Sequence, residues 1–284
     1  MSVSTKLWRI IDLINWSTDY FKSNKIENPK REIEWFLCEI LQCERIDLYI
    51  RFEEILHKSN LDKFKHMINQ RVSGEPFQHI INKASFYGRD FFVNNTVLIP
   101  RPDTEIIIDI IKKNKCVDSI LDVGTGSGCI AITIFLEKLA NNVYATDISD
   151  TAIKTAQYNM EKHQSNAIKI AKHDFLNQQF KTKFDIVVSN PPYISKSQLK
   201  SLQQEVKNYD PEIALTDGLD GYSFYERFGQ QFNNLLNSNG YMLLEFGGNQ
   251  QKETIKSIFK KNNLRTEFFK DLQNDWRIVK ITNE

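Results

Sequence analysis

Near its N-terminus the chain places Leu7, Ile10, Ile11 and Ile14 at i, i+3, i+4 and i+7. That spacing gathers them on one face of an amphipathic helix. The stretch ENPKREIEWFLCEIL follows. Asn28 stands where a cap is expected, Pro29 suits the first helical turn, and Ile33, Phe36, Leu37, Ile40 and Leu41 form the next apolar stripe. A third helix is expected over 61–72, stopping at Gly74. None of these segments carries an acid/base cluster or a glycine loop. Residues 1–84 therefore read as a small helical domain with no chemistry of its own.

Past Gly74 the texture changes. ASFYGRDFFVNNTVLIP mixes aromatic and β-branched residues with turn formers, which predicts a β-hairpin linker over 85–100 leading into a second domain, 101–284. Apolar runs then alternate with helical patterns. Helices are expected over 104–113, 129–138 and 150–163, and strands over 119–123, 143–146, 168–170 and 186–189. GYMLLEFG adds another strand, and RTEFFKD with WRIVKIT reads as a closing antiparallel pair. This alternation predicts βαβ units: an α/β domain with a mostly parallel sheet and helices on both faces. No internal repeat or low-complexity segment interrupts it.

With 284 residues there is room for one large domain or two smaller ones. A formal net charge of +1 argues against a protein whose main task is to grip a phosphate backbone. Cys38, Cys43, Cys116 and Cys129 form no CxxC pair and no metal-ligand spacing, so they read as reduced, mostly buried thiols, with no metal implied. MSVSTKLWRIIDLINW lacks the basic start and unbroken apolar core of a signal peptide, and no apolar run is long enough to span a membrane. A cytoplasmic monomer without membrane contact is expected.

The chemistry concentrates at strand ends. ILDVGTGSGCIAI sets Asp122, Gly124, Thr125, Gly126, Ser127 and Gly128 between a strand and a helix. Glycines there allow a tight turn and close approach of a ligand, and the helix N-terminus offers free N–H groups. A tight βα turn without a ligand is the plainer reading of the same loop. The next strand ends in VYATDIS, placing Asp147 about twenty residues on, where an acid can accept from both ribose hydroxyls. Capping the following helix is the ordinary alternative. In KHDFLNQ, Asp174 could bond an adenine amino group and Phe175 could lie against the purine or simply belong to the core. FDIVVSNPPYISKS then ends a strand abruptly at two prolines. Asn190 can accept a hydrogen bond from an –NH₂ group through its side-chain oxygen, the Pro191 carbonyl can accept the other hydrogen, and Tyr193 supplies an aromatic wall. A stiff turn is the bland alternative, but the stretch follows an apolar strand downstream of the glycine loop and Asp147.

Taken together these motifs resemble a class I S-adenosylmethionine-dependent methyltransferase, and more narrowly the HemK/PrmC family, the release factor glutamine methyltransferases. The resemblance runs through GEPFQHI, FYGRDFFV, LIPRPDTE, LDVGTGSG, ATDIS, SNPPYI, DPEIALTDGLDGYSFY, LLEFGGNQ and DWRIV. It implies a Rossmann-like sheet, mostly parallel with an antiparallel C-terminal strand, carrying a helical substrate-recognition domain in front. It also implies that residues 124–128 hold the methionine end of S-adenosylmethionine, Asp147 its ribose, and Asp174 and Phe175 its adenine. Asn190, Pro191, Pro192 and Tyr193 would bind the substrate glutamine, with Asn190 also close to the cofactor. The family often has tryptophan where this chain has Phe175, and a tyrosine-containing form of QHII at 78–81. Arg101 and Glu105 lie in the LIPRPDTE motif without an evident chemical step.

The reaction so implied is methylation of the side-chain nitrogen of the glutamine in a Gly-Gly-Gln motif of peptide chain release factors, yielding S-adenosylhomocysteine. Hydrogen bonds from the substrate –NH₂ to Asn190 and Pro191 would raise electron density on a poorly nucleophilic amide nitrogen and hold it in line. No general base is required before attack, and His79, His163 and His173 read as surface or structural. The alternatives are a glutamine of a ribosomal protein, or adenine N6 of a flipped nucleic-acid base. Near-neutral charge and the motifs outside SNPPYI speak against direct nucleic-acid binding.

Overall fold

The computed structural model describes residues 7–284; residues 1–6, the start of the segment read above as lacking a signal peptide, lie outside the described residues. The chain divides into two compact units, Met1–Asn82 and Lys83–Glu284. The first contains α1 (Ile10–Ser23), α2 (Pro29–Leu41), α3 (Arg45–Ile50), α4 (Lys58–Val72) and α5 (Phe77–Ile80). Leu7 does not join the first helical stripe: it is 68% exposed. Trp8 and Ile10 instead make backbone hydrogen bonds with Leu56 and Glu54, around a bridge between Arg9 and Ile55. That pairing delays the helix to Ile10, where the Asp12 carboxylate accepts from the Arg9 backbone N–H and guanidinium. Asn28 occupies the cap position of α2 but in the left-handed region, φ 51°, and its side chain makes no capping bond. Asparagine tolerates that conformation, and Pro29 pre-sets the first turn. Ile10, Ile14, Ile33, Phe36, Leu37, Phe64 and Ile68 close the core of this unit.

The second unit opens with a hairpin, β1 (Ala84–Phe86) and β2 (Arg89–Phe91), joined by Tyr87 and Gly88. Both have positive φ, as a two-residue type I′ turn requires. The hairpin is shorter than expected, and the chain from 92 to 101 runs on without strand pairing. There follow α6 (Glu105–Lys112), β3 (Val117–Val123), α7 (Cys129–Leu136), β4 (Ala140–Asp147), α8 (Asp150–Lys162), β5 (Lys169–Lys172) and β6 (Phe184–Ser189). The C-terminal part contributes α9 (Gln204–Tyr209), α10 (Glu212–Leu215), α11 (Ser223–Leu235), β7 (Leu236–Glu245), α12 (Lys252–Lys261), β8 (Leu264–Lys270) and β9 (Trp276–Asn283).

One seven-stranded sheet has the order β5-β4-β3-β6-β7-β9-β8. Neighbours from β5 to β7 are parallel, and β9 is antiparallel to both β7 and β8. Alternate residues of each central strand enter different cores. Ile120, Ile186, Val188 and Leu243 pack with Ile107, Ile108, Ile130 and Ile132 on one face. Leu121, Val187, Met242 and Leu244 pack with Phe228, Phe232 and Phe259 on the other. A sheet covered on both faces explains why these strands read as continuous apolar runs. The cysteines depart from expectation: Cys129 is buried, Cys38 and Cys43 are half-buried, and Cys116, in the connection between α6 and β3, is exposed.

Candidate active site

Strand register alone assembles the site. Val123 pairs with Thr146 on one side and Ser189 on the other, and Ser189 pairs with Leu244. The residues one step further on, Gly124, Asp147, Asn190 and Glu245, therefore stand at one level on the carboxyl edge of the sheet. The chain leaves β3 for β4 on one side and returns as β6 on the other, and such a switch point is where open α/β sheets bind ligands.

The glycine loop is fastened to that edge. Gly124 and Thr125 donate backbone hydrogen bonds to the Thr146 carbonyl, 2.8 and 2.9 Å. The Asp147 carboxylate accepts from the N–H of Gly126 at 2.9 Å and of Ser149 at 2.9 Å. Ser149, not Asp147, caps α8, its hydroxyl accepting from Ala152 N. Burial pushes the Asp147 carboxyl above its ordinary value, against the backbone N–H groups of Ser149, Gly126 and Ile148 that lower it. At Gly126, φ +56°, a Cβ would meet nothing within 4 Å, so the space beside the loop is open. At Gly128, φ +81°, a Cβ would lie 3.1 Å from Ile132 and 3.2 Å from Ala156, so glycine is needed to let α7 and α8 approach. Beneath the loop Asp122 takes the Thr125 hydroxyl at 2.6 Å, and burial raises it to about 7.

Two cavities, each of about 290 Å³, share Leu98, Asn190 and Ala214 in their walls. That volume is close to the lower bound of small-molecule sites, roughly 300 Å³. Residues 124–127, Asp147, Asp174, Phe175 and residues 190–192 line the first. Gly128 does not border it. Tyr193 lines the second, with Asn190, Arg101 and Leu202. Phe175 is only 5% exposed and packs 4.2 Å from the Phe228 ring, so most of it belongs to the core. The Asp174 carboxylate is held below its ordinary value mainly by the Asn177 side chain, 2.8 Å away.

Around Asn190 the polar groups form a chain. Its side-chain nitrogen donates to the Thr104 hydroxyl at 3.3 Å, and that hydroxyl donates to Glu245 Oε2 at 2.5 Å. The Tyr193 hydroxyl reaches Glu245 Oε1 at 3.4 Å. Glu245 is 1% exposed; burial raises its carboxyl to about 7 although Thr104, Arg277 and Tyr193 favour the ionised form.

Comparison with known proteins gives this edge a family. Residues 12–81 match the family described as PrmC N-terminal domain, and residues 102–208 the Methyltransferase small domain. A release factor glutamine methyltransferase of Geobacter sulfurreducens is 33% identical, the match covering 92% of this chain and 92% of that one. Another, from Bacillus subtilis, is 35% identical over 95% of this chain and 96% of its own length. The chain belongs to the release factor glutamine methyltransferase family. The fold also appears in a solved methyltransferase from Pyrococcus furiosus, TM-score 0.51, 20% identical, covering 79% of this chain and 98% of that one.

For a release factor glutamine methyltransferase two motif residues gain a physical role. Arg101 pairs with the buried Asp210 at 2.9 Å, joining the segment before α6 to the one before α10. Glu105 accepts from the Tyr87 N–H at 2.7 Å and ties the hairpin turn to the start of α6. The histidines stay off Asn190. His79 is buried in the first unit, and His163 contacts the Asp90 carbonyl. His173 borders the first cavity with its ring 3.9 Å from Phe180, and burial lowers its pKa. Sequence reading assigned no role to Thr104 and Glu245. The available signal was one acid closing an otherwise apolar strand at the edge where the motifs gather. Among the described residues no His/Cys/Asp/Glu group is arranged to hold a metal, and no helix is long and apolar enough to cross a membrane.

Proposed function

We propose that the protein methylates the side-chain nitrogen of the glutamine in the Gly-Gly-Gln motif of peptide chain release factors, using S-adenosylmethionine. The observation that carries this reading is the position of Asn190 in the wall of both cavities. A cofactor in the first and a glutamine side chain entering through the second would meet at that amide. The residues of the first cavity suit the cofactor: an open glycine loop and a carboxylate, anchored by the Gly126 and Ser149 N–H groups, whose oxygens can accept further hydrogen bonds. S-adenosylmethionine bound there supplies a methyl group on a positively charged sulfur.

The chain's own residues then orient the nucleophile. The Asn190 side-chain oxygen and the Pro191 carbonyl accept the two hydrogens of the glutamine –NH₂. Both bonds push electron density toward nitrogen and fix its direction, and positioning of this kind can remove a large part of a barrier. Tyr193 walls the second cavity beside them. The amide nitrogen becomes acidic once alkylated, so its proton leaves to solvent and no side-chain base has to act first. The test is mass spectrometry of a release factor incubated with cofactor and enzyme, against a factor with Gln→Ala at the motif and against nucleic acid. One methyl group on the motif glutamine supports the reading. Methylation of nucleic acid alone, or of the alanine factor at the same rate, refutes it.

A further inference from the structure

We propose that Thr104 and Glu245 set the orientation of the Asn190 amide, making Glu245 a positioning residue for methyl transfer. The proposal rests on the glutamine-methylating reading above. It follows from counting protons along the chain of hydrogen bonds. The oxygen and nitrogen of an asparagine amide have nearly the same shape, so only its partners decide which way it faces. The Thr104 hydroxyl lies 2.5 Å from Glu245 Oε2 and 3.3 Å from the Asn190 amide. It carries one proton and two lone pairs. An ionised Glu245 has no proton to give, so Thr104 donates to it and has only lone pairs left for Asn190. Asn190 must then present its –NH₂ to Thr104, and its oxygen stays free for the –NH₂ of the substrate.

Protonation of Glu245 at Oε2 reverses the sequence. The acid donates to Thr104, whose proton turns toward Asn190. That proton favours a flipped amide, whose oxygen accepts it and which would then face the substrate –NH₂ with another –NH₂. Two donors opposed do not bond, so protonation shifts the amide toward an incompetent orientation. The groups around Glu245 make this a tunable choice. The Tyr193 hydroxyl lies on Oε1, and the Tyr225 hydroxyl donates to the Glu245 backbone carbonyl at 2.6 Å. Arg277 favours ionisation and Asp103 opposes it, while Arg277 is itself tied to Asp271 and Asp103 at 3.0 and 3.3 Å. The buried thiol of Cys129 also feels the Glu245 charge. Burial is the largest influence and places the titration at about 7.

Activity and stability then respond to pH in opposite senses. The competent, ionised form is present above about 7 and is lost as pH falls through that value. The carboxyl is raised in the folded state relative to an ordinary glutamate, so its contribution to stability is complete at low pH. That contribution declines as pH rises from the ordinary value through about 7.

The test begins on cofactor-free protein, with the Asn190 side-chain amide followed by ¹H–¹⁵N NMR across neutral pH. The expected result is a titration with midpoint about 7 in the wild type that disappears in Glu245→Gln. In single-turnover methylation, Thr104→Val should slow transfer about tenfold, the loss of one buried hydrogen bond, while cofactor affinity holds. Thr104→Ser, which keeps the hydroxyl, should recover most of that rate. The acid limb of the wild-type pH profile should flatten in Glu245→Gln. An Asn190 titration that persists in Glu245→Gln, or Thr104→Val as fast as wild type, overturns the relay. A wild-type protein that methylates no Gly-Gly-Gln factor overturns the functional reading instead, and the NMR titration still judges the relay.

Discussion

The Asp147 carboxylate accepts from the Gly126 N–H on one oxygen and the Ser149 N–H on the other, and a carboxylate has about four acceptor sites in all. It is thus both a clip for the glycine loop and an acceptor for the proposed ribose. Asp147→Ala removes both functions. Bonds to a charged acceptor contribute roughly 1.5–3 kcal/mol each, so loss of one or two of them should lower cofactor affinity by about one to four orders of magnitude. Calorimetry on folded variant checks this, and unchanged affinity would remove Asp147 from the site. The places of Asp147 and Asn190 at the carboxyl edge were legible from sequence because each closes an apolar strand in a recognisable motif. Thr104 and Glu245 were not. They are 141 positions apart, and neither a lone threonine nor one acid at a strand end announces a partner at that distance. Phe175 stood in sequence as either a purine stack or core, and it both packs on Phe228 and borders the first cavity.

The elements read from sequence were right in kind, though α3, α5 and α9 to α12 were not read, and their ends moved wherever backbone pairing overrode side-chain pattern. β4 runs Ala140–Asp147, beyond the apolar 143–146, because Asn142 pairs with Ser119 of β3. β7 begins at Leu236 rather than Gly240 because Leu236 pairs with Phe184 across an irregular register. α1 begins late for the same kind of reason, the bridge between Arg9 and Ile55. The junction between β3 and α7 is where an element boundary bears most directly on the site. Gly128→Ala forces a positive-φ residue and sets a methyl 3.1 Å from Ile132. Strained backbone of this kind costs about 1–3 kcal/mol. Denaturant unfolding should show a loss of that size together with weaker cofactor binding. A variant as stable as wild type would mean that α7 and α8 part without cost.

At the scale of the molecule the residues lining both cavities lie within Lys83–Glu284. The first unit has its own core and exposes Trp16, Tyr20 and Ile50, with the Trp16 and Tyr20 rings stacked at 5.3 Å. A surface of that kind suits a protein substrate, consistent with its proposed part in recognition. Removal of residues 1–82 should leave cofactor binding near wild type and depress methylation of an intact release factor, compared by calorimetry and by rate. Full activity of a soluble truncated enzyme would assign recognition to the second unit alone. The change from helical stripes to alternating strands and helices lies near the boundary between the two units at Asn82 and Lys83, and the hairpin read as a linker falls in the second. The most direct measurement of the central claim is single-turnover methyl transfer by wild type and Asn190→Ala to a release factor bearing Gly-Gly-Gln, read by mass spectrometry with cofactor saturating. The expected result is one methyl group on the motif glutamine with wild type and severely slowed transfer with Asn190→Ala, whose cofactor affinity falls much less. Transfer by Asn190→Ala at the wild-type rate would contradict it.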